Sequence, residues 1–148
     1  MSHDSIKRIW DNFKKENPHA PEEYEAWAFG DSKEMADELA ELVLTGTKRA
    51  TASNYLAYED TESLPYVGLH NVILDGKGRA VAIAETTSVV IVPFNEVNEE
   101  HAYLEGEGDR TLRFWREEHE KFFKKELKEI DHEFHEQIPV VCERFTLL

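Results

Sequence analysis

The chain has 148 residues, with 31 acidic and 17 basic side chains and a net charge of −14. This length is typical of one domain, and 41% hydrophobic residues suffice for a core without disulfides. No run of about 20 apolar residues and no signal-peptide pattern is present, so we expect a cytoplasmic protein with no membrane partner. Because phosphate binding draws on a basic surface, the acidic charge disfavours RNA and favours a small neutral or cationic ligand.

The first third of the chain is predicted to form two helices and a strand. Hydrophobic residues recur at helical spacing in "SIKRIWDNF", which predicts an amphipathic N-terminal helix at about 4–16. Alternating aromatic residues in "YEAWAFG" are typical of a strand that ends at Gly30. In "DSKEMADELAELVLTG" we expect Asp31 to cap a second helix and Gly46 to end it.

The remainder is predicted to contain a hairpin, two helices and a final strand. Two β-branched runs flank the Asp-Gly-Lys-Gly turn at 75–78, which indicates a β-hairpin. A short helix is expected from Asn95, a long helix from Asp109, and a strand in "PVVCERFTLL". Because helices and strands do not alternate regularly, we predict a single α+β domain over 1–148 with a mostly antiparallel, barrel-like sheet.

Three segments that contain histidine or cysteine are interpreted as structural. The histidines of "HEFHE" (132–136) are three residues apart, whereas the metalloprotease motif needs four, so we expect solvated surface and no metal. Cys142 lies among apolar residues and is expected to be a buried thiol. Trp115 and His119, one turn apart on an apolar helix face, are assigned to the core. No cofactor is expected.

Two polar segments are candidates for chemistry. In "EGEGD" (105–109), capping by Asp109 explains the aspartate but not the two glycines. In "LTGTKRATAS" (44–53), cations next to a helix C-terminus complement its dipole, which explains Lys48 and Arg49 but not the hydroxyls. A strand that started at once would place Arg49, Thr51 and Ser53 on one face, unless a bend turned Lys48 inward.

The second of these segments resembles a known motif. "GTKRAT" fits the Gly-x-Lys-x-x-Thr motif of ASCH domains, small proteins with a PUA-like β-barrel. Other segments also resemble bacterial stand-alone ASCH proteins over most of residues 24–146, namely "WAFGDS", "ETTSVVIVPFNEV", "EGEGDRTLRFWREEHEKFF" and "PVVCERF". The resemblance implies a PUA-like, mostly antiparallel β-barrel with flanking α-helices. One departure is that these proteins carry an acidic residue after Pro65-Tyr66-Val67-Gly68, where this chain continues with Leu69-His70-Asn71.

The resemblance implies two kinds of function. Some small bacterial ASCH proteins are amidohydrolases that remove the acyl group from N4-acetylcytidine and related N4-acylated cytosines. In these, a lysine and a threonine of the motif act with a glutamate on a later strand, and the matching positions are Lys48, Thr51 and Glu85. Other relatives are regarded as RNA-binding modules, and nuclease activity has been proposed for some. We expect a metal-independent amide hydrolase acting on a nucleoside, with a non-catalytic module that binds RNA or a modified nucleotide as the alternative.

The chemistry of amide hydrolysis leaves two assignments open. Thr51 can attack only if another group takes its proton. Lys48 could be a neutral base, but its pKa would have to fall by about 3, and an adjacent Glu85 carboxylate opposes this. Alternatively Glu85 moves the proton while a charged Lys48 stabilises the oxyanion, which requires no large pKa shift.

Five further residues are expected to contact the substrate. Trp27 and Phe29 could stack on the pyrimidine or pack in the core. The other three are polar residues in or next to the candidate segments, namely Arg49, Ser53 and Asp109.

Overall fold

A computed structural model describes residues 2–60 and 63–148. In this part of the chain five strands are flanked by four helices. The helices are α1 (Ser2–Glu16), α2 (Lys33–Leu44), α3 (Glu99–Glu105) and α4 (Leu112–Glu129). The strands are β1 (Glu25–Ala28), β2 (Ala50–Asn54), β3 (His70–Leu74), β4 (Ala80–Pro93) and β5 (Pro139–Leu147). None of the described helices has the length and apolarity needed to span a membrane.

The strands form one curled sheet in the order β1-β3-β4-β5-β2. The β1–β3 pair is parallel and the other three pairs are antiparallel. A register shift between Thr86 and Ser88 marks an irregularity of the kind that bends a strand. The prediction of an α+β fold with a mostly antiparallel, barrel-like sheet is confirmed, although β1 and β2 remain at opposite edges of a half-barrel.

The two faces of the sheet are covered by different helices. On one face, α1 buries Trp10 against Val72 and Ile83. On the other face, α2 packs on a core that includes Phe29 and Phe145. A third core cluster lies under α3 and α4, with its buried members at Phe94, Val97, Ala102, Trp115, Phe123, Leu127, Ile138 and Val140. This division matters for the site, because the sheet residues Thr51, Asn71 and Glu143, which line the cavities described below, lie on the face away from α1.

The predicted elements are present, but three helices begin at other residues than expected. Gly46 follows α2 with φ 78°, as its role as a helix stop requires, and the turn at 75–78 joins β3 to β4. At each of the three starts another side chain accepts a hydrogen bond from the third helical N–H. The caps are Ser32 instead of Asp31 for α2, Asn98 instead of Asn95 for α3, and Thr111 instead of Asp109 for α4.

Candidate functional site

The segment between α2 and β2 turns the side chain of Lys48 into the protein. The backbone N–H groups of Thr47 and Lys48 both donate to the carbonyl oxygen of Leu42, at 2.9 and 3.0 Å. Strand β2 begins only at Ala50, so strand alternation does not apply to Lys48. Lys48 is 1% exposed, whereas Arg49 points to solvent. Of the two arrangements that the sequence allows, the structure has the inward bend.

The buried ammonium of Lys48 is compensated by acceptors from the "EGEGD" segment. Nζ donates to Oε2 of Glu107 at 2.7 Å, to Oε1 of Glu105 at 3.4 Å and to the Glu105 carbonyl at 3.3 Å. It also lies 5.2 Å from the centroid of the Phe29 ring. Because an unpaired buried charge costs several kcal/mol, these two carboxylates offset the cost of burying the ammonium.

Glu105 is buried and accepts hydrogen bonds from several elements. Its Oε2 accepts from His101 Nε2 at 2.7 Å and from the indole N–H of Trp115, and its Oε1 lies 3.6 Å from His119 Nε2. Burial raises the pKa of Glu105, but the charges of His119 and Lys48 and the hydrogen bond from His101 outweigh it and hold the pKa well below 4.5. Glu105 is therefore a carboxylate with both oxygens occupied.

His119 connects this carboxylate to the cavity. Its Nδ1 donates to the Trp115 carbonyl at 2.8 Å, and its ring stacks on the Trp115 indole at 4.2 Å. Burial lowers the pKa of His119, but the Glu105 carboxylate raises it further, so the net shift is upward from 6.5. Trp115 belongs to the core as expected, whereas the assignment of His119 to the core is corrected, because its side chain lines a cavity.

Two adjoining cavities lie between α4 and the β1–α2 connection. The first has a volume of about 300 Å³ and contains the groups around the lysine: Lys48, Thr51, Glu105, Glu107 and His119. The second has a volume of about 440 Å³ and is lined by aromatic, hydroxyl, amide and carboxyl side chains, including Trp27, Ser53, Tyr58, Asn71, Glu126 and Glu143. Thr51 and Phe29 line both cavities, so Thr51 lies where the two cavities meet.

Glu143 is a candidate site residue that the sequence analysis missed. It is the register partner of Thr51 across β2 and β5, it is 6% exposed, and its Oε2 accepts from the Thr86 hydroxyl at 2.6 Å. Burial raises the pKa of Glu143, and the hydrogen bond from Thr86 offsets only part of this effect. A charged residue at an inward position of the apolar strand "PVVCERF" is the signal that could have pointed to it.

The structure does not bring Glu85 to either cavity, which corrects the position expected for it. Glu85 is the register partner of His70, whose ring lies 5.8 Å from that of Trp10 in α1. Neighbouring residues of a strand point to opposite faces, so Thr86 lies on the face of the sheet that carries Glu143, and Glu85 faces α1. The carboxylates that contact Lys48 are Glu105 and Glu107.

Of the five residues expected to contact the substrate, three line the cavities and two do not. Trp27, Phe29 and Ser53 line the cavities, and the Ser53 hydroxyl lies 2.8 Å from that of Tyr58. Arg49 is exposed and lines neither cavity. Asp109 is also exposed, and hydrogen bonds from the Thr111 hydroxyl and N–H hold its pKa below the ordinary value.

The other histidine and cysteine candidates lie outside the cavities. His132 and His135 of "HEFHE" are exposed. Within residues 2–60 and 63–148, no cluster of three or more His, Cys, Asp or Glu side chains has an arrangement that could hold a metal ion. Cys142 is half-buried, and burial raises the pKa of its thiol to about 12.

Comparison with known proteins places the chain in a family. The ASCH domain model matches residues 25–148. The chain belongs to the ASCH domain family. This ASCH domain superimposes on a crystal structure of an ASCH domain from Lactobacillus crispatus JV V101 with a TM-score of 0.88 and 33% identity, covering 99% of this chain and 92% of that one. A protein from Enterococcus faecalis V583 gives a TM-score of 0.89 and 37% identity, covering 98% and 88%. A search of curated protein sequences finds no significant match.

Proposed function

We propose that this ASCH domain hydrolyses the amide bond of N4-acylated cytosine nucleosides. The observation that carries the proposal is a buried, charged Lys48 that shares a cavity with the hydroxyl of Thr51 and the carboxylate of Glu107. Amide hydrolysis needs a nucleophile, a proton carrier and a donor for the oxyanion, and these three groups can supply them. The acylated cytosine is the substrate that the resemblance to ASCH amidohydrolases implies.

The two carboxylates next to Lys48 are suited to different roles. Glu105 has donors on both oxygens and holds the ammonium in place. The side chain of Glu107 is 20% exposed and lines the cavity, so it is free to exchange a proton. Lys48 therefore serves as the charged oxyanion donor, and Glu107 takes the shuttle role that the sequence analysis gave to Glu85.

The reaction can be written with these groups. Thr51 Oγ bonds to the acyl carbon while its proton passes to Glu107, and the developing oxyanion replaces the neutralised Glu107 as an acceptor from Lys48 Nζ. The bond between the acyl carbon and N4 then breaks, and Glu107 returns the proton to N4 of the departing cytosine. In the second half, water attacks the Thr51 ester, its proton passes through Glu107 back to Thr51 Oγ, and the carboxylic acid leaves.

The lining of the cavities argues against RNA as the ligand. Glu25 lines the second cavity, where none of the described lining residues is a lysine or arginine, and the net charge is −14. Carboxylates repel phosphates, and RNA affinity depends largely on cations that neutralise them. A neutral nucleoside has no phosphate to be repelled.

The test is to incubate purified protein with N4-acetylcytidine and to follow cytidine and acetate by chromatography. We expect turnover that survives EDTA, a strong loss in Thr51→Ala, and wild-type rates in Thr87→Ala, a matched change at an exposed position. No cytidine release at micromolar enzyme, together with binding or cleavage of a single-stranded oligoribonucleotide, would replace the proposal with the RNA-binding or nuclease alternative. Loss of turnover with EDTA that zinc restores would overturn the roles given to Lys48 and Thr51.

A further inference from the structure

A chain of three hydrogen bonds runs along the wall of the second cavity and ends on Glu143. The indole Nε1 of Trp27 donates to Oδ1 of Asn71 at 3.0 Å. Nδ2 of Asn71 donates to Oγ1 of Thr86 at 3.0 Å, and this hydroxyl donates to Oε2 of Glu143 at 2.6 Å. Asn71 and Thr86 are almost completely buried.

The donor-to-acceptor direction of these hydrogen bonds is determined by Trp27, the first residue in the series. An indole N–H can only donate, so Asn71 must turn its oxygen toward Trp27 and its amino group toward Thr86. The two hydrogens of this amino group are shared among the Thr86 hydroxyl oxygen and the carbonyl oxygens of Leu69 at 3.3 Å and Ala84 at 3.1 Å, and the two carbonyls can only accept. Because the Thr86 oxygen accepts from Asn71, its own proton is directed to Glu143. Oε2 of Glu143 is therefore held as an acceptor in both protonation states of the carboxyl group.

The other carboxyl oxygen of Glu143, Oε1, is available to a ligand in the second cavity. Within residues 2–60 and 63–148, no protein group makes a hydrogen bond with Oε1 of Glu143, although the residue lines the second cavity. The titratable groups that share this lining are Glu25 on β1, Tyr58 after β2 and Glu126 on α4, and none of the described lining residues is a cation. A buried carboxyl with acidic neighbours and no cation favours its neutral form. In the neutral form the proton lies on Oε1, the oxygen that accepts no hydrogen bond from the described residues.

We propose that Glu143, as a neutral carboxyl group, recognises the heterocycle of the ligand. Oε1 donates to a ring nitrogen that accepts, and Oε2 accepts from the exocyclic N–H next to it. Cytosine presents this pair at N3 and N4, whereas uracil presents an N–H at position 3 and a carbonyl at position 4 and so reverses both contacts. The chemical class selected is therefore an aminopyrimidine of the cytosine type.

The position of Glu143 fits the reaction proposed above, and its role in hydrolysis rests on that proposal. Thr51 is its direct register partner in the sheet. Side chains of directly paired residues lie on the same face, with Cβ atoms about 4.5–5.5 Å apart. A ring held through N3 and N4 by Glu143 would thus carry its acyl group toward Thr51 and the Lys48 cavity.

Binding of the product separates this inference from the hydrolytic function. Cytidine and uridine are titrated into the wild type and into Glu143→Gln, Glu143→Ala and Trp27→Phe by calorimetry. We expect the wild type to prefer cytidine by about tenfold or more, the scale of a bidentate contact to a base. Glutamine has the same acceptor and donor, and the Thr86 hydroxyl orients it, so Glu143→Gln should retain the preference while Glu143→Ala loses it. Glu117→Gln, an exposed carboxylate on α4, is the matched control.

Trp27→Phe tests whether the hydrogen bonds that run from Trp27 to Glu143 position the Glu143 carboxyl group. It keeps an aromatic side chain but removes the N–H that orients Asn71, so we expect a weaker preference for cytidine in a variant whose circular dichroism is unchanged. Equal affinity for the two nucleosides in the wild type, or no binding of either, would overturn the inference. Loss of preference in Glu143→Gln as large as in Glu143→Ala would show that a carboxylate is required and would overturn it as well.

The two proposals fail in different ways. Hydrolysis of N4-acetylcytidine by a protein whose cytidine preference does not depend on Glu143 overturns only the recognition role. A Glu143-dependent preference for cytidine without any hydrolysis supports the recognition role and overturns the proposed function.

Discussion

The ammonium of Lys48 lies 3.4 Å from Oε1 of Glu105, although 57 residues separate the two along the chain. The contact exists because the end of α3 docks against the segment that precedes β2, where the N–H of Arg49 donates to the Leu104 carbonyl at 2.7 Å. Gly106 follows α3 in a left-handed conformation and lies directly against Thr47. The charged site is therefore assembled from the segment before β2 and the C-terminal end of α3, and changes to either should alter both its stability and its chemistry.

Replacing Lys48 with methionine should destabilise the protein by about 3–5 kcal/mol, the scale of breaking a buried ion pair. The substitution keeps most of the side-chain length but removes one of the two cations that compensate the buried Glu105 carboxylate. Urea unfolding at pH 7 measures the change in the free energy of unfolding. Lys7→Met, at a side chain that is 79% exposed, should stay within about 0.5 kcal/mol of the wild type. A loss in Lys48→Met as small as that of the control would contradict the ion-pair account.

Alanine at Gly106 should be more damaging than alanine at Gly46. Both glycines have positive φ, 73° and 78°, so both variants acquire backbone strain of roughly 1–2 kcal/mol. A Cβ at Gly106 would lie 2.5 Å from the Thr47 carbonyl oxygen, whereas a Cβ at Gly46 would have nothing within 4 Å. Gly106→Ala should therefore also displace the segment that carries Lys48, and lower both stability and turnover. Equal losses in the two variants would show that close packing at Gly106 is unimportant.

Removing the charge of Glu107 should abolish most turnover, whereas the same change at Glu85 should not. Glu107 contacts Lys48 in the first cavity, and Glu85 lies on the sheet face that α1 covers. We expect Glu107→Gln to lose about 10²–10⁴-fold in kcat with N4-acetylcytidine, the range for general acid–base catalysis, and Glu85→Gln to remain near the wild type. The reverse pattern would restore the role that family resemblance assigned to Glu85.

The ion pair of His119 with Glu105 should make stability depend on pH. The pKa of His119 is raised above 6.5, so its contribution is complete below that pH and is lost as the pH rises through the raised value. The pKa of Glu105 lies well below 4.5, so its contribution is present above 4.5 and is lost as the pH falls through that low pKa. Unfolding free energies of the wild type should decline from about pH 6.5 upward, and His119→Gln should lack this decline. His132→Gln, at an exposed histidine, should retain it.

The sequence by itself determined the local elements and one half of the site. Helical spacing, the turn at 75–78 and the glycine stop at Gly46 act within a few residues, so the helices, the hairpin and the α+β class could be predicted. The Gly-x-Lys-x-x-Thr motif pointed to Lys48 and Thr51 for a similar reason, since the whole motif spans only six consecutive residues. Cap positions were less certain because several polar residues near each helix start compete for the same N–H groups.

Only the tertiary structure decided which carboxylates lie close to Lys48 and Thr51. Strand alternation predicts that Glu85 and Thr86 point to opposite faces of the sheet, but it does not predict which face α1 covers. Glu105 and Glu143 reach the site through the docking of α3 and the pairing of β5 with β2, contacts that no local pattern records. Both carboxyl groups are buried, but the pKa of Glu105 is lowered and that of Glu143 is raised. Cations beside Glu105 outweigh the cost of desolvating its charge, whereas none of the described residues that line the cavity with Glu143 is a cation.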